Sequence, residues 1–485
     1  MHIRLDHAVL QSGETCARLG SAERRRGPWA RWHWDGRQLV VEVDYLGHYP
    51  LYYAEGGGGV VVSDSLSEIL RLGVSRTFDD GAIAAFLRLG FFLGEDTPFR
   101  AIRAFPAGGR LTWSAGDGLR VEHRIPGCEI REIGRREAIT GYIERFRAAI
   151  ARSLPEGEER TCLPLSGGRD SRHIAFELHR RGFRPGLVVT QRHPANHPDD
   201  DHEVAQEVAR ELGWPIEVIA PTEEVLRAEL EKNRLFECMT DEHTWFVPGA
   251  ARIRAAGMEG MYDGIGGDVL SNGLFCREEW VRDLGRGRLD AFMDAVRTSG
   301  ASEDALRVLL KEPYRRRWSW DLARQRIRHE LSRHLGDENP AHRFFFWNRT
   351  RREIAPIMCR YLTGTEVITP YLDREVFDWL WHLPYRVMAD RRMHDEAIAV
   401  AFPQFAHLRY EAKPAPSWPG LHGRRLLGGM RRHTGFWRGG EVLNRRWLAP
   451  RLAGSLVKPA VAERSLWYAP WAVWFHSLEE LAGPA

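Results

Sequence analysis

The segment LPLSGGRDSRH, residues 163 to 173, places small residues, an acid and hydroxyls in a row after an apolar lead-in. A buried strand that ends in Ser166-Gly167-Gly168 and runs into a helix builds an anion site. The glycines let backbone N–H groups of Ser166 to Arg169 converge, and the following helix adds its positive end. Ser166 and Ser171 supply hydroxyl donors. Asp170 repels an anion unless a cation sits between them, and a magnesium ion bridging carboxylate and phosphates resolves that conflict. The turn therefore suits the phosphates of a nucleotide with its metal. It is not a Walker A loop, because G-x-x-x-x-G-K-[ST] is absent. Glycine turns after strands are common, so the neighbouring elements must decide what this one holds.

The chain has 485 residues, more than one hydrophobic core usually spans, so two domains are expected. A net charge of +3 over that length gives no general case for nucleic acid. The cysteines (Cys16, Cys128, Cys162, Cys238, Cys276 and Cys359) are scattered and form no C-x-x-C pair, which argues against a zinc site or a disulfide framework. The opening MHIRLDHAVLQ lacks the pattern of a signal peptide, and no apolar run is long enough to span a membrane. A cytoplasmic protein is the expectation.

Residues 37 to 64 read as strands around the Gly56–Gly59 hairpin turn, and 108 to 124 as a second hairpin turning at Gly116-Asp117-Gly118. Asp79-Asp80 caps a helix over GAIAAFLRLG. From about residue 128 the pattern changes. An amphipathic helix, REAITGYIERFRAAIARSL, precedes the buried strands TCLPL, GLVVTQ, WPIEVIAP and GMEGMYD, which alternate with helices. Such alternation predicts a parallel sheet with helices on both faces. The stretch from about 285 to 410 reads as mostly helical. In QRHPANHPDDDH, residues 191 to 202, the histidine spacing fits no standard metal site, and a solvated loop with a helix cap is the simpler reading. The segment from about 422 to 465 carries Arg424, Arg425, Arg431, Arg432, Arg438, Arg445, Arg446 and Arg451. It reads as a solvated basic region, with a cover over an anionic ligand as the functional alternative.

Residues 163 to 171 resemble the SGGxDS loop of the ATP pyrophosphatase superfamily. YDGIGGDVLSNG (262 to 273) is similar to the SGxGADELFGG segment of asparagine synthetases, TEVITPYLDREVFDWLWHLP (365 to 384) to their ExRxPFLD stretch, and LRYEAKPAP (408 to 416) to the segment with their late lysine. Thr240-Asp241-Glu242-His243 stands where that family has a DEP-like segment. On these ordered motifs the chain resembles the asparagine synthetase-like family. VDYLGHYPLYY, VVVSDSLSEIL and EDTPFRAIRAFPAGGRL resemble the latter half of a class II glutamine amidotransferase domain. The fold implied is α/β. A mainly β, truncated amidotransferase-like domain (1–127) precedes a parallel-sheet synthetase domain with a helical C-terminal part (128–485).

The resemblance implies ATP and Mg²⁺ as cofactors, an acyl-adenylate intermediate and an amide product. It assigns Ser166, Gly167, Gly168, Arg169, Asp170, Ser171, Gly264 and Gly266 to pyrophosphate, and Val188 and Thr190 to adenosine. Asp170 and Asp268 become the metal ligands. Lys413 becomes the cation that stabilises the transition state, and Glu366 the base or orienting group for the amine. One departure bears on the reaction. The amidotransferase family uses an N-terminal cysteine, whereas position 2 is His2 and the nearest cysteine is Cys16, so no acyl-enzyme route to ammonia is expected.

Several readings stay open. An asparagine synthetase would then need external ammonia. β-Lactam-forming members carry a tyrosine three residues before the equivalent of Asp268, where this chain has Ile265. In lasso-peptide macrolactam formation the substrate brings its own amine, Trp347 to Arg352 and the basic tail are candidates for holding a peptide, and a precursor-peptide protease or leader-binding protein would be a partner. Sulfur insertion would call for a cysteine pair or a tRNA surface, neither of which is evident. A silent nucleotide- or peptide-binding scaffold is the reading from another class.

Overall fold

In the first 123 residues, alternating burial separates two layers. β4 (Trp29–Trp34) turns Ala30, Trp32 and Trp34 inward, and β5 (Leu39–Val43) turns Leu39, Val41 and Val43 the same way. The computed structural model describes residues 1–6, 9–21, 27–123, 125, 127, 129–192, 200–222, 224–297, 299–412, 440–454 and 459–483. Strands begin well before residue 37: β1 (His2–Asp6), β2 (Val9–Gly13) and β3 (Cys16–Gly20) precede β4. Their solvent faces carry residues such as Arg4 and Arg18, so their mean hydropathy is low although β1 and β3 alternate fully. β6 (Tyr52–Gly56) and β7 (Gly59–Ser63) form the expected hairpin, with Gly57 and Gly58 both at positive φ (62° and 81°), as a primed two-residue turn requires. β8 (Arg103–Ala104), β9 (Arg110–Ser114) and β10 (Gly118–Glu122) complete two antiparallel sheets, ordered β2-β1-β7-β6-β8 and β10-β9-β5-β4-β3. They face each other across Ile3, Leu5, Val60, Val62, Trp32, Val41 and Leu111. Helix α1 (Leu66–Arg71) starts at Ser65, and α2 (Asp80–Leu89) starts at Asp79, whose carboxylate accepts from the Ala82 N–H, and ends at left-handed Gly90.

The second half carries an all-parallel sheet. Its strands are β11 (Thr161–Pro164), β12 (Leu187–Gln191), β13 (Glu217–Ile219), β14 (Gly260–Tyr262) and β15 (Glu366–Ile368), in the order β13-β12-β11-β14-β15. One face packs on α3 (Arg135–Ser153), α4 (Arg169–Arg180) and α5 (Asp201–Glu211) through Phe146, Leu163, Ile174, Val188 and Val208. The other packs on the helices Val247–Ala255 and Ala355–Tyr361 through Val189, Met261, Ile253 and Ile357. Strand order reverses at β11, which has β12 on one side and β14 on the other. The crevice at their carboxyl ends is where open α/β sheets bind ligands. Among the described residues no helix is long and apolar enough to cross a membrane.

One core crosses between the halves. It joins Phe86 and Phe92 to Leu226 and Cys238, to Leu306 and Trp318, and to Trp474 and Phe475 of the helix Pro459–Ala482. A π-helical connector, Phe346–Ile354, adds polar links: the Asn348 Oδ1 accepts from the Gly94 N–H (2.7 Å), and Arg351 and Arg352 donate to the carbonyls of Phe105 (2.6 Å) and Asp96 (2.7 Å). Trp347, Asn348, Arg351 and Arg352 are all buried, so the expectation that Trp347 to Arg352 present a peptide-binding surface is corrected. Their polarity serves the contact between the halves, and Arg349 alone of the charged residues in that run is partly exposed. Of the basic region, Arg424, Arg425, Arg431, Arg432 and Arg438 lie outside the described residues.

The Trp474 indole stacks on Phe86 (centroids 4.8 Å apart, planes at 18°) and donates from Nε1 to the Cys238 carbonyl (3.1 Å). Trp474→Ala is therefore expected to cost about 3–5 kcal/mol, read as a drop in unfolding free energy by denaturant titration.

Candidate active site

β11 delivers the chain to the switch point, where the turn Ser166–Gly168 leads into α4. Glycine is required at 167 by close approach: a Cβ there would lie 2.9 Å from the Val204 Cβ and 3.0 Å from the Glu411 Cβ. The turn's amides are not left open. Ser166 N–H donates to the Ser171 Oγ (2.9 Å), Gly167 N–H to the Asp201 Oδ1 (2.9 Å) and Gly168 N–H to the Ser166 Oγ (3.2 Å). This corrects the expectation that Ser166 to Gly168 amides face an anion directly, because side-chain oxygens already hold them. At Gly168 no side chain caps α4 among the described residues, so the first-turn amides of Arg169, Asp170 and Ser171 keep the free donor ends of a helix start. The Arg169 guanidinium points elsewhere: it pairs with Asp395 and lies over the Tyr410 ring (5.2 Å).

The turn after β14 closes on the first one around Asp170. A Cβ on Gly264 would stand 2.7 Å from the Asp170 Cβ, and one on Gly267 would stand 2.5 Å from its carboxylate. Gly266 takes a left-handed φ of 83° against Leu372. The Asp268 N–H donates to the Asp170 Oδ2 (3.1 Å), which brings the two expected metal ligands together. The Asp170 Oδ1 is buried and makes no hydrogen bond among the described residues. A buried carboxylate oxygen left in this way fits a hard cation. Thr190 sits near the carboxyl end of β12, buried, and its Oγ1 makes no hydrogen bond among the described residues.

Val188 and Glu366 do not reach the crevice. Val188 pairs with Leu163 in mid-sheet and is part of the core under α4 and α5, so it packs rather than binds. Glu366 opens β15 in register with Gly260, which is itself in register with Thr161. It therefore lies at the amino end of the sheet, five residues and about 16 Å of strand short of Ser166.

Lys413 lies outside the described residues, but the chain that leads to it is tethered to the loop. The Glu411 N–H donates to the Gly167 carbonyl (3.2 Å) and the Ala412 N–H to the Asp200 Oδ1 (2.8 Å). Arg172, buried on α4, bridges the two: it donates to the carbonyls of Gly167 (3.1 Å) and Arg409 (2.6 Å) and stacks on Tyr410 (4.1 Å). Arg172, Asp200, Asp201 and His394 are site residues that the sequence reading does not single out. For Arg172 the signal is there, a cation on the apolar face of an amphipathic helix. For Asp200 and Asp201 it points only to a cap. Of the expected DEP-like segment, Asp241 groups with Glu242 and Glu353, with oxygens within 4.8 Å of one another.

Burial pushes the Asp263 carboxyl up to about 6; the Ile265 N–H it accepts opposes that rise and the Asp170 charge adds to it. Between its ordinary 3.8 and about 6 the folded chain holds a proton that the unfolded chain has lost. Stability from this group thus falls as pH rises through that window. Asp263→Asn keeps the acceptor and removes the charge. Urea titrations are expected to show a gain of about 1 kcal/mol at about pH 7.5 that shrinks toward about pH 4.

A sequence profile described as glutamine amidotransferase domain matches residues 7–123. No curated protein sequence matches the chain. A profile described as asparagine synthase matches residues 141–393, which include both glycine turns and both aspartates that meet at the switch point. With that match covering more than half its length, the chain belongs to the asparagine synthase family, the ATP-dependent amide-bond ligases of the asparagine synthetase type.

Proposed function

We propose that this chain activates a carboxylate as its acyl adenylate and closes an amide with an amine of the same peptide, as in lasso-type macrolactam formation. The observation that carries the adenylation is the meeting of Asp170 and Asp268 at the switch point, beside the uncapped start of α4. A substrate carboxylate oxygen attacks the α-phosphorus of ATP, and the bond to pyrophosphate breaks. The amine nitrogen then attacks the acyl carbon, AMP leaves with the bridging oxygen, and the amine proton passes to solvent. Magnesium, held by Asp170 and Asp268, would offset charge on the leaving pyrophosphate. The first-turn amides of α4 bind the same anion, the Thr190 hydroxyl stands at the nucleoside side, and Lys413 supplies positive charge to the transition state.

Two observations favour a substrate that carries its own amine. Ile265 is part of the core, where β-lactam-forming members place a tyrosine. In β-lactam-forming members that tyrosine shares a proton with a glutamate at the position of Glu366, which here opens β15 in register with Gly260, toward the amino end of the sheet. The peptide would be delivered by a precursor-peptide protease or a leader-binding protein. Small amino acids are the alternative substrates.

The test is magnesium-dependent exchange of labelled pyrophosphate into ATP, with AMP quantified in the same tubes. The acids supplied are aspartate, small β-amino acids and peptides with a free N-terminus and an internal Asp or Glu. Exchange or AMP release with the peptides alone is expected. Asp170→Asn and Lys413→Ala should each lower it by about 100-fold or more. Turnover with a small amino acid instead would move the reading to a small-molecule ligase. Silence with every acid would overturn adenylation in favour of a non-catalytic scaffold.

A further inference from the structure

We propose that His394 is a positioning residue that orients the Asp170 carboxylate for its cation; this rests on the reading of Asp170 as a metal ligand. His394 stands in the first turn of the helix Met393–Ala401 and is fully buried. One imidazole there touches four other elements. Its Nδ1 lies 2.9 Å from the Ser271 Oγ and 3.4 Å from the Asp170 Oδ1, and its Nε2 lies 3.1 Å from both the Tyr142 hydroxyl and the His173 Nδ1. The Tyr371 hydroxyl is 3.5 Å from Nε2 and donates instead to the Asp170 carbonyl (2.9 Å).

The hydroxyl protons determine the tautomer. Ser271 donates its O–H to the Gly267 carbonyl (2.6 Å), so its oxygen must accept from His394, and Nδ1 carries the hydrogen. Nε2 faces the Tyr142 hydroxyl and the His173 Nδ1 as alternative partners. Burial, and after it the His394 ring, push the pKa of His173 far down, which keeps the His173 imidazole neutral.

The Nδ1–H is committed to the Ser271 Oγ, and the same nitrogen lies 3.4 Å from the Asp170 Oδ1 without a hydrogen bond to it, so the ring edge backs that oxygen and does not cap it. The Oδ2 is committed to the Asp268 N–H. The carboxylate is therefore held at one oxygen by a hydrogen bond and backed at the other by the His394 ring edge, which leaves that oxygen's lone pairs for a cation. The neighbouring pair Arg169–Asp395 locks the same two helix starts together, so the ring cannot drift from Asp170 without breaking an ion pair. Partners of this kind around a metal ligand typically contribute about 10- to 100-fold in metal affinity.

The test measures Mn²⁺ binding in the presence of ATP by electron paramagnetic resonance, with thermal unfolding of each variant alongside. His394→Phe keeps the bulk and loses the N–H; its Mn²⁺ Kd is expected to rise about tenfold or more. His394→Gln can return an N–H to the same place and should recover most of that loss. Tyr142→Phe removes one of two partners on the far side of the ring, and should leave Mn²⁺ affinity within about threefold while lowering the melting temperature. Wild-type affinity in His394→Phe overturns the proposal alone. So does a loss that tracks melting temperature across all three variants, since that would make His394 core packing. Failure of the wild-type chain to bind Mn²⁺ with ATP overturns the metal reading of Asp170, and the proposal with it.

Discussion

Two turns from neighbouring strands can come within hydrogen-bond distance only where no side chain stands between them. Around Asp170 that space exists because Gly264 and Gly267 lack a Cβ; either would put one within 2.7 Å of Asp170. The Asp268 N–H can then reach the Asp170 carboxylate, and two acids from different loops share one site. The strand order serves the same end, since the reversal at β11 opens the crevice into which both turns project.

Beneath the turns lies a layer of buried polar groups rather than an apolar floor. Arg172, His173, Asp201 and His394 are each nine-tenths buried or more, and each is engaged by a neighbouring polar group. Buried polar groups are costly unless paired, and once paired they specify one geometry. Arg172 joins the phosphate turn to the chain at Arg409, Asp201 joins it to α5, and His394 joins it to the short helix at Ser271. Three distant parts of the chain thus converge on one loop, and a displacement of any of them is felt there.

The amidotransferase-like part is fixed to this assembly by both apolar and polar contacts. The core that includes Phe86 and Trp474 crosses between the halves, and the connector Phe346–Ile354 inserts Asn348, Arg351 and Arg352 against backbone groups of the β-rich part. These contacts bury large aromatic surfaces and satisfy carbonyls that water would otherwise solvate. Removal of the β-rich part would expose the face that Trp474, Trp318 and the connector now cover.

Local physics made much of this protein legible in its residues. The alternating β5, the Gly57-Gly58 turn, the Asp79 cap, the strand-turn-helix at Ser166 and the βα alternation all follow from short-range periodicity and turn chemistry. The ordered motifs around Ser166, Asp268 and Pro370 were sufficient to point to the family, because chemistry that needs a glycine turn and an acid leaves both in fixed order. Register and convergence were not legible. Glu366 sits in a motif beside an active-site turn, yet its pairing with Gly260 puts it at the wrong end of the sheet. Val188 differs from Thr190 only by two places along one strand. Trp347 to Arg352 look like a surface and are buried, while His394 lies more than two hundred residues from Asp170 and touches it. Residue type and spacing determine what a segment can do locally; only the packing of remote segments, set by shared cores and strand pairing, decides which of those groups meet.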